Sequence, residues 1–446
     1  MAVQHKANNG RLRWYHLASA FFLLQTYGAL GFVDRLVYGE WEGKSGTKIS
    51  QSLNLLVIAV SILLFLRAFR LRKSVGTGGT LALVLAVFLI LSASWSIDPQ
   101  VSARRGIEYL LFVLGVIGVA GNLEADEFMH LLRVTCFLSV VVSIVLLAVS
   151  PGTALMADGV PVLRGVFSHK NVLGQVMAIG ALGSLHGMRA GVGQRLSSTF
   201  MLLVFILATL ASRSSTALLV IIAFCITSGI IALFLQGGAS RALGISAIVV
   251  LLPIAVAVAI YPDSVMEMLG KDPTLTGRTD LWGYVIKYIS ERPIFGWGLS
   301  AFWSPANPLA GQISSDVGWL VPEAHNGLLE LLLEVGIVGT IIYFYLWIRN
   351  IVLALRCFRT PAKELGISTF LCCGGLAIVG VSEEILLDPS QASVGVFFVT
   401  GFMCERIVRA KRRRRFPIAQ LAGGRREHNT PVKDAEVSIS RISLRG

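Results

Sequence analysis

The sequence predicts an all-α, polytopic integral membrane protein with one large loop. Three observations predict it. Hydrophobic residues make up 54% of the 446 residues and charged residues only 15%, a balance foreign to soluble enzymes. Apolar runs of roughly 20 residues, enough to cross a ~30 Å hydrocarbon core, recur along most of the chain. One polar interruption, residues 262–326, breaks the series and closes on Glu323-Ala324-His325-Asn326-Gly327 before an apolar helix resumes.

Taken in order, the runs give twelve candidate spans, near 16–33, 52–69, 80–97, 106–121, 134–150, 171–187, 197–212, 216–236, 243–261, 327–348, 365–381 and 391–408. The first is too long for a removable signal peptide and lacks a small-residue cleavage site, so it reads as a retained span. The expected organisation is an N-terminal segment 1–13, a transmembrane catalytic domain 14–409 carrying the loop 262–326, and a basic tail 410–446 whose Arg, Ser and Gly content predicts disorder. Residues 405–446 hold twelve Lys/Arg against four Asp/Glu, which supplies +8 of the chain's +13. Beside a final span, such a tail reads as cytoplasmic and held near anionic headgroups, not as a nucleic-acid site.

The positive-inside rule sets the orientation. Placing both termini in the cytoplasm puts Arg67, Arg70, Arg189, Arg195, Arg241, Arg349, Arg356, Arg359 and Lys363 inside, and the loop 262–326 outside. Membrane lipids are therefore the first expected partner. The segment Glu124–Arg133 is amphipathic and reads as lying at the cytoplasmic interface. All six cysteines fall within spans or at cytoplasmic ends, which implies neither a disulfide nor a thiolate metal site.

Within the loop, the stretch from Thr279 to Pro293 places Leu281, Trp282, Val285, Ile286 and Ile289 on one helical face, with Thr279 or Asp280 as a cap and Pro293 as a stop. Phe295-Gly296-Trp297-Gly298 follows as an aromatic and glycine turn suited to the membrane interface. A helix lying flat on the outer surface, beneath a flexible lid, is the expected arrangement.

Ionisable residues at span ends need a reason, because insertion of one costs roughly 2.5–3.5 kcal/mol at a span centre. Arg104 and Arg105 precede the fourth span, Arg164 and Lys170 the sixth; Arg213 lies between the seventh and eighth, and Arg278 opens the loop helix. All run against the positive-inside trend. Either each one snorkels or pairs with Asp98, Glu383, Glu384 or Asp388, or the group shares an anionic ligand. Guanidinium forks suit phosphate, so the second reading points to a phosphorylated or pyrophosphorylated lipid. His325 is either a cap at the start of the tenth span or a proton acceptor, whose neutrality the helix N-terminus would favour. Glu330 and Glu334 lie one turn apart on one face of that span, with Asn326 four residues before Glu330. They either hold an arginine or serve as structural partners, and the second is preferred. Ser168-His169-Lys170-Asn171 forms a polar cluster that could simply cap a helix.

The outward loops contain no Asp-x-Asp pair, and the chain has no phosphate-binding glycine loop and no Gly-x-Ser-x-Gly. No metal and no cofactor are expected on that ground.

The segment Arg164-Gly165-Val166-Phe167-Ser168-His169-Lys170-Asn171-Val172-Leu173-Gly174 resembles the signature of the O-antigen ligase/polymerase superfamily, the Wzy/WaaL-like proteins, and more narrowly its exopolysaccharide polymerases of the ExoQ type. Three further stretches agree: Ser212-Arg213-Ser214, Gly277-Arg278-Thr279-Asp280-Leu281-Trp282 and His325-Asn326-Gly327-Leu328-Leu329-Glu330. The resemblance covers about residues 80–400. It implies a GT-C-like glycosyltransferase, inverting and metal-independent, whose donor is a glycan on undecaprenyl diphosphate at the periplasmic face of a bacterial inner membrane. By the same resemblance, Arg213 and Arg278 contact the diphosphate and His325 activates the acceptor hydroxyl. Arg164, Lys170, His169, Asn171, Asn326 and Asp280 join them as contacts to phosphate or sugar, with Glu330, Arg104 and Arg105 in support. A flippase and a chain-length regulator are the implied pathway partners.

Within that family a polymerase adds the growing chain to the next lipid-linked unit, whereas a ligase moves a finished chain to another acceptor. The His-Lys-Asn segment favours the polymerase. The rival from another class is a polysaccharide or lipid transporter. It predicts internal repeats, which are not evident, and ionisable residues at span centres, whereas the charges here gather at outer ends.

Overall fold

Apolar stretches with few β-breaking interruptions must pair their backbone groups internally when water is absent, and helices do this within one segment. The computed structural model accordingly consists of helices, apart from a two-residue hairpin pairing Leu155 with Leu163 and Met156 with Val162. It describes residues 13–38, 47–71, 75–156, 160–190, 192–246 and 278–415. The expected segment 1–12, most of the expected span 243–261, the first part of the loop, 262–277, and the tail beyond 415 lie outside the described residues. So does the side chain of Arg278.

The helices are α1 Trp14–Thr26, α2 Phe32–Tyr38, α3 Lys48–Arg70, α4 Thr77–Leu91, α5 Pro99–Asn122, α6 Ala125–Val149, α7 Pro151–Ala154, α8 Lys170–Ala190, α9 Val192–Ser212 and α10 Ser215–Gln236. After a helical stretch at 238–246, the described chain resumes with α11 Arg278–Glu291, α12 Pro308–Val317, α13 Gly327–Cys357, α14 Lys363–Gly380 and α15 Ala392–Arg415. Among the described residues, seven helices are long and apolar enough to cross a membrane: α3, α4, α6, α9, α10, α13 and α14. The chain is a multi-pass membrane protein. Helices α5, α8 and α15, of 24, 21 and 24 residues, match expected spans in place and length, but their ends carry Arg104 and Arg105, Lys170 and Arg189, and the run at 411–415. The first expected span is a 13-residue helix that stops at Thr26 and turns into α2.

Packing follows the small residues. Glycines 115, 118 and 121 on α5 face Ser61, Leu64 and Ala68 of α3, where any added Cβ would press on its neighbour. Small faces of this kind let helices approach closely in a medium that offers no hydrophobic drive between them. The opposite face of α3, including Leu55, Leu63 and Phe69, is exposed as a lipid-facing surface would be. Glu124–Arg133 forms the cap and first turns of α6. Glu124 caps α6, and Arg133 lies buried in it, bonded to Ser198 and 3.1 Å from His130 Nδ1. The buried face of Phe128, Met129, Leu132 and Arg133 is what the amphipathic pattern reflects.

The alternation of helices sorts the connections into two ends. Glu405 marks one end: it accepts from Thr77 N at 2.7 Å and Gly78 N at 3.0 Å and pairs with Arg349 at 2.5 Å. The other end carries the 92–98 turn, the 150–169 connection, Arg213, the described loop from 278 to 326 and the 381–391 turn.

That loop is a folded unit. Leu281, Val285 and Tyr288 of α11 pack with Trp297, Phe302, Ile313 and Val321 into a second core, beside the main one. No loose lid is needed to describe residues 278–326, because these aromatic side chains give the loop enough apolar area to order itself. Ile286 departs from the expected face and is 57% exposed.

The loop is spliced into α13. At Gly336 (φ 60°, ψ −167°) the helix breaks. The carbonyls of Leu333 and Glu334 lose their helical donors and accept instead from Trp297 N at 2.8 Å and Gly298 N at 2.9 Å. The freed N–H groups of Ile337 and Val338 donate to Pro293 O at 2.9 Å and Ile294 O at 3.2 Å. Each such group left unpaired at membrane depth would cost several kcal/mol. Glycine is required on both sides: Gly336 and Gly296 have positive φ, and a Cβ at either would collide with the backbone of the other segment. Gly336→Ala and Gly296→Ala should each destabilise the protein by about 2 kcal/mol or more, from left-handed strain and collision together. Thermal melting in detergent checks this, with Gly374→Ala, whose Cβ meets nothing within 4 Å, expected to melt like the parent protein.

Candidate active site

His325 sits two residues before α13 begins, in a segment held from both sides. The Ala324 N–H donates to Glu330 Oε2 at 2.7 Å, and the Ala324 carbonyl accepts from Trp282 Nε1 at 3.0 Å. Glu330 also accepts from Trp303 Nε1 at 2.8 Å. Asn326 caps the helix, its Oδ1 accepting from the N–H groups of Leu328 and Leu329, both at 3.1 Å. So anchored, His325 takes φ 50°; among the described residues only Arg213 and Ser300 share a positive φ without being glycine. A non-glycine residue in this region is worth of order 1–3 kcal/mol of strain, and such strain gathers at functional sites.

His325 Nδ1 lies 2.8 Å from Glu323 Oε1, and its ring is tilted at 33° to Trp319, with centroids 5.7 Å apart. The approach lacks hydrogen-bond geometry at Nδ1, so Glu323 meets the ring by proximity and charge. Glu383 completes the group: ligand atoms of Glu323, His325 and Glu383 all lie within 4.8 Å of one another. Glu383 Oε1 also accepts from Asn171 Nδ2 at 3.0 Å, which ties the start of α8 to the histidine. His169 Nδ1 accepts from Asn171 N at 3.2 Å, so the His-Lys-Asn cluster both caps α8 and reaches the site.

Arg213 stands in the turn between α9 and α10. Its neighbour Ser214 packs on Gly174, one turn into α8. Its exposed guanidinium makes no hydrogen bond or ion pair among the described residues, and Ser214, the first cap of α10, makes no side-chain cap bond. An arginine at a helix N-terminus favours an anion.

The remaining arginines separate from this group. Arg164 spends Nε on Thr153 O at 3.1 Å and Nη2 on Gly152 O at 3.4 Å, bracing its own connection. Arg35, which the sequence reading passed over, is buried against the same connection and donates to Gly165 O at 3.1 Å and Thr153 O at 3.4 Å. Burial, together with the nearby Arg164 charge, lowers its pKa to about 10. Arg104 and Arg105 line a separate cavity with Glu330, Glu334 and Glu384. Arg105 pairs with Glu108 at 3.1 Å on an exposed surface, a contact worth little. Asp280 is exposed on the first turn of α11, two residues before the Trp282 indole that reaches Ala324.

Glu330 and Glu334 hold backbone, not arginine: Glu334 Oε1 accepts from Ser300 N at 2.6 Å. Glu384 approaches both, with carboxylate oxygens of all three within 4.8 Å of one another. Although part of Glu384 reaches solvent, burial of its carboxyl, reinforced by Glu330 and Glu334, pushes its pKa well above the ordinary value. Asp98 caps α5 through Val101 N and accepts from Ser304 Oγ at 2.5 Å, and these bonds, Ser304's first, lower its pKa. Either three-residue group, Glu323-His325-Glu383 or Glu330-Glu334-Glu384, has ligand atoms close enough to chelate a cation.

Glu323 and Trp303 had no assigned role in the sequence reading, and Glu383 entered it only as a possible arginine partner. Glu323, two residues before His325, was the one available signal.

Two comparisons bear on this site. The O-antigen ligase family model, Wzy_C, matches residues 200–344, which hold Arg213, the loop and His325. The exopolysaccharide production protein ExoQ of Rhizobium meliloti (strain 1021) is 28% identical over 379 residues, covering 79% of this chain and 82% of that protein. By both comparisons the chain is similar to the O-antigen ligase/polymerase superfamily. The similarity supports an activity of the ligase or polymerase type.

Two outcomes follow from the carboxylates. Glu330→Ala leaves the Ala324 N–H and the Trp303 indole without an acceptor, at about 1–3 kcal/mol each; faster proteolysis between 319 and 326 and a lower melting temperature are expected. Because the Glu384 pKa is raised on folding, its contribution is intact at acidic pH and drains away as pH climbs from the ordinary carboxylate value towards the folded one. Melting temperature from about pH 5 to about pH 8 should therefore fall less steeply in Glu384→Gln than in the parent.

Proposed function

We propose that the protein polymerises lipid-linked oligosaccharide units, moving a growing glycan from undecaprenyl diphosphate to a sugar hydroxyl of the next lipid-linked unit. The observation that carries this reading is the strained His325 beside Glu323 and Glu383, tied by Asn171 to the same end as the Arg213 turn. Nε2 of His325 takes the acceptor hydroxyl proton as the oxygen attacks the anomeric carbon. The bond from that carbon to the diphosphate oxygen breaks, and the electron pair leaves with the diphosphate. Attack opposite the leaving group inverts the centre. Arg213, with Arg278 and Lys170 in the same role, offsets the charge growing on the diphosphate without reorganising. Glu323 balances the charge the proton brings to the imidazole. Asn171, His169 and Asn326 frame the space between; Arg164 acts by bracing its connection.

The basic residues Arg189, Arg195, Arg356, Arg359 and Lys363 lie at the end away from His325, which supports a cytoplasmic location for that end and for both termini. The His325 end then faces the periplasm of the inner membrane. The ligase reading has the family description in its favour, whereas ExoQ is named for exopolysaccharide production.

His325→Ala should cut polymer formation by about 10²-fold or more while the protein still accumulates in the membrane. Arg213→Lys should cost about tenfold, because a point charge does not replace a fork. Carbohydrate-stained gels of lipid-linked glycan decide between the two reactions. Single units in cells lacking the protein support the polymerase, and long chains retained on the lipid support the ligase. Activity of the purified protein should persist in EDTA; its loss would assign the Glu323-His325-Glu383 group to a cation instead.

A further inference from the structure

A cavity of about 360 Å³ opens beside the His325 segment, between the start of α5, the 299–305 turn, the first turns of α13 and the 384–390 turn. We infer that it is a subsite for a neutral sugar of the acceptor glycan, next to the sugar whose hydroxyl reacts. The inference rests on the transferase reading above and names where its acceptor lies.

Four arguments converge. The volume falls within the range of pockets that enclose small ligands. The lining suits a diphosphate poorly: Glu330, Glu334, Glu384 and Asp388, which offer mostly acceptor oxygens, outnumber the two donor forks Arg104 and Arg105, whereas a diphosphate only accepts. The same set suits a polyol, since carboxylates accept from hydroxyls, arginine forks donate to sugar oxygens, and Trp303 offers an apolar ring wall. Capacity is left over as well. Glu330 and Glu334 are occupied by Trp303, Ala324 and Ser300, whereas Glu384 makes no hydrogen bond among the described residues.

Position completes the case. Pro322 lines the cavity three residues before His325. Glu383 belongs to the histidine group while Glu384, the next residue, belongs to the cavity. A glycan seated here runs directly towards His325. Arg104 and Arg105, which the sequence grouped with the diphosphate arginines, become acceptor contacts.

The test uses full-length protein in nanodiscs and, as probe, the free oligosaccharide repeat unit released from the host's own exopolysaccharide, which carries no diphosphate. Glu384→Ala, and Ser390→Trp at the exposed lip of the cavity, should each weaken its binding about tenfold or more, and Arg213→Ala should bind it as the parent does. In turnover assays the two cavity variants should raise KM for acceptor more than they lower kcat. Parent-like binding in both cavity variants would overturn the subsite, as would tight uptake of Ca2+ or Mg2+ that Glu384→Ala abolishes. Polymer formation that depends on His325 while both cavity variants bind the probe normally would sink the subsite alone. Polymer formed by His325→Ala alongside weakened probe binding in the cavity variants would sink the transferase role and leave a glycan site.

Discussion

The exchange of hydrogen bonds at Gly336 is the interaction on which the rest depends. A membrane helix that breaks must find partners for its freed carbonyls and N–H groups. Here the Pro293–Gly298 stretch supplies all four, at 2.8 to 3.2 Å. The loop is thereby fixed to the bundle as firmly as one strand to another, and the first turns of α13 become part of the loop's own core. Glu330 and Glu334 project from those turns and clamp Ala324 and Ser300. The position of His325 is a consequence of this chain of constraints, which begins with two glycines facing each other across a splice.

Strain and carboxylate placement tell the same story at the site. Glu330 fixes the residue before His325, and Glu334 fixes Ser300, another residue with positive φ. Both carboxylates are buried and bonded to backbone, an arrangement that holds a strained conformation in place because every alternative leaves a donor unpaired. Glu323 and Glu383 lie on the other side of the segment, facing the imidazole. One run of sequence thus separates two acidic groups with different duties, bracing and charge balance.

The outward arginines illustrate why charge patterns must be resolved by packing. As a sequence they form one class, all against the positive-inside trend. In the structure, Arg164 and the unsuspected Arg35 hold carbonyls of one connection, and Arg104 and Arg105 border an acidic cavity. Arg213 stands apart with no partner among the described residues. Arginine's several donors serve backbone carbonyls, carboxylates and phosphates equally well, so its residue type alone does not choose among them.

Hydropathy and its period are local properties, and what they report was legible in the chain: a helical membrane protein, an interrupted series of spans, and the end at which each polar cluster emerges. The motifs around Lys170, Arg213 and His325 were legible for the same reason, being contiguous. The ends of the spans were less so, since α5, α8 and α15 trade hydrophobicity there for residues the site or the opposite end uses. Contacts between distant segments were not legible. Asn171 and Glu383 are 212 residues apart and meet because α8 and α14 pack side by side. Gly336 reads as an ordinary glycine of an apolar helix until Ile294 is placed against it. Sequence alone determined the medium, the elements and the chemistry at hand; only tertiary packing decided which side chains share a space, because direction and proximity arise from the folded backbone and not from its order of residues.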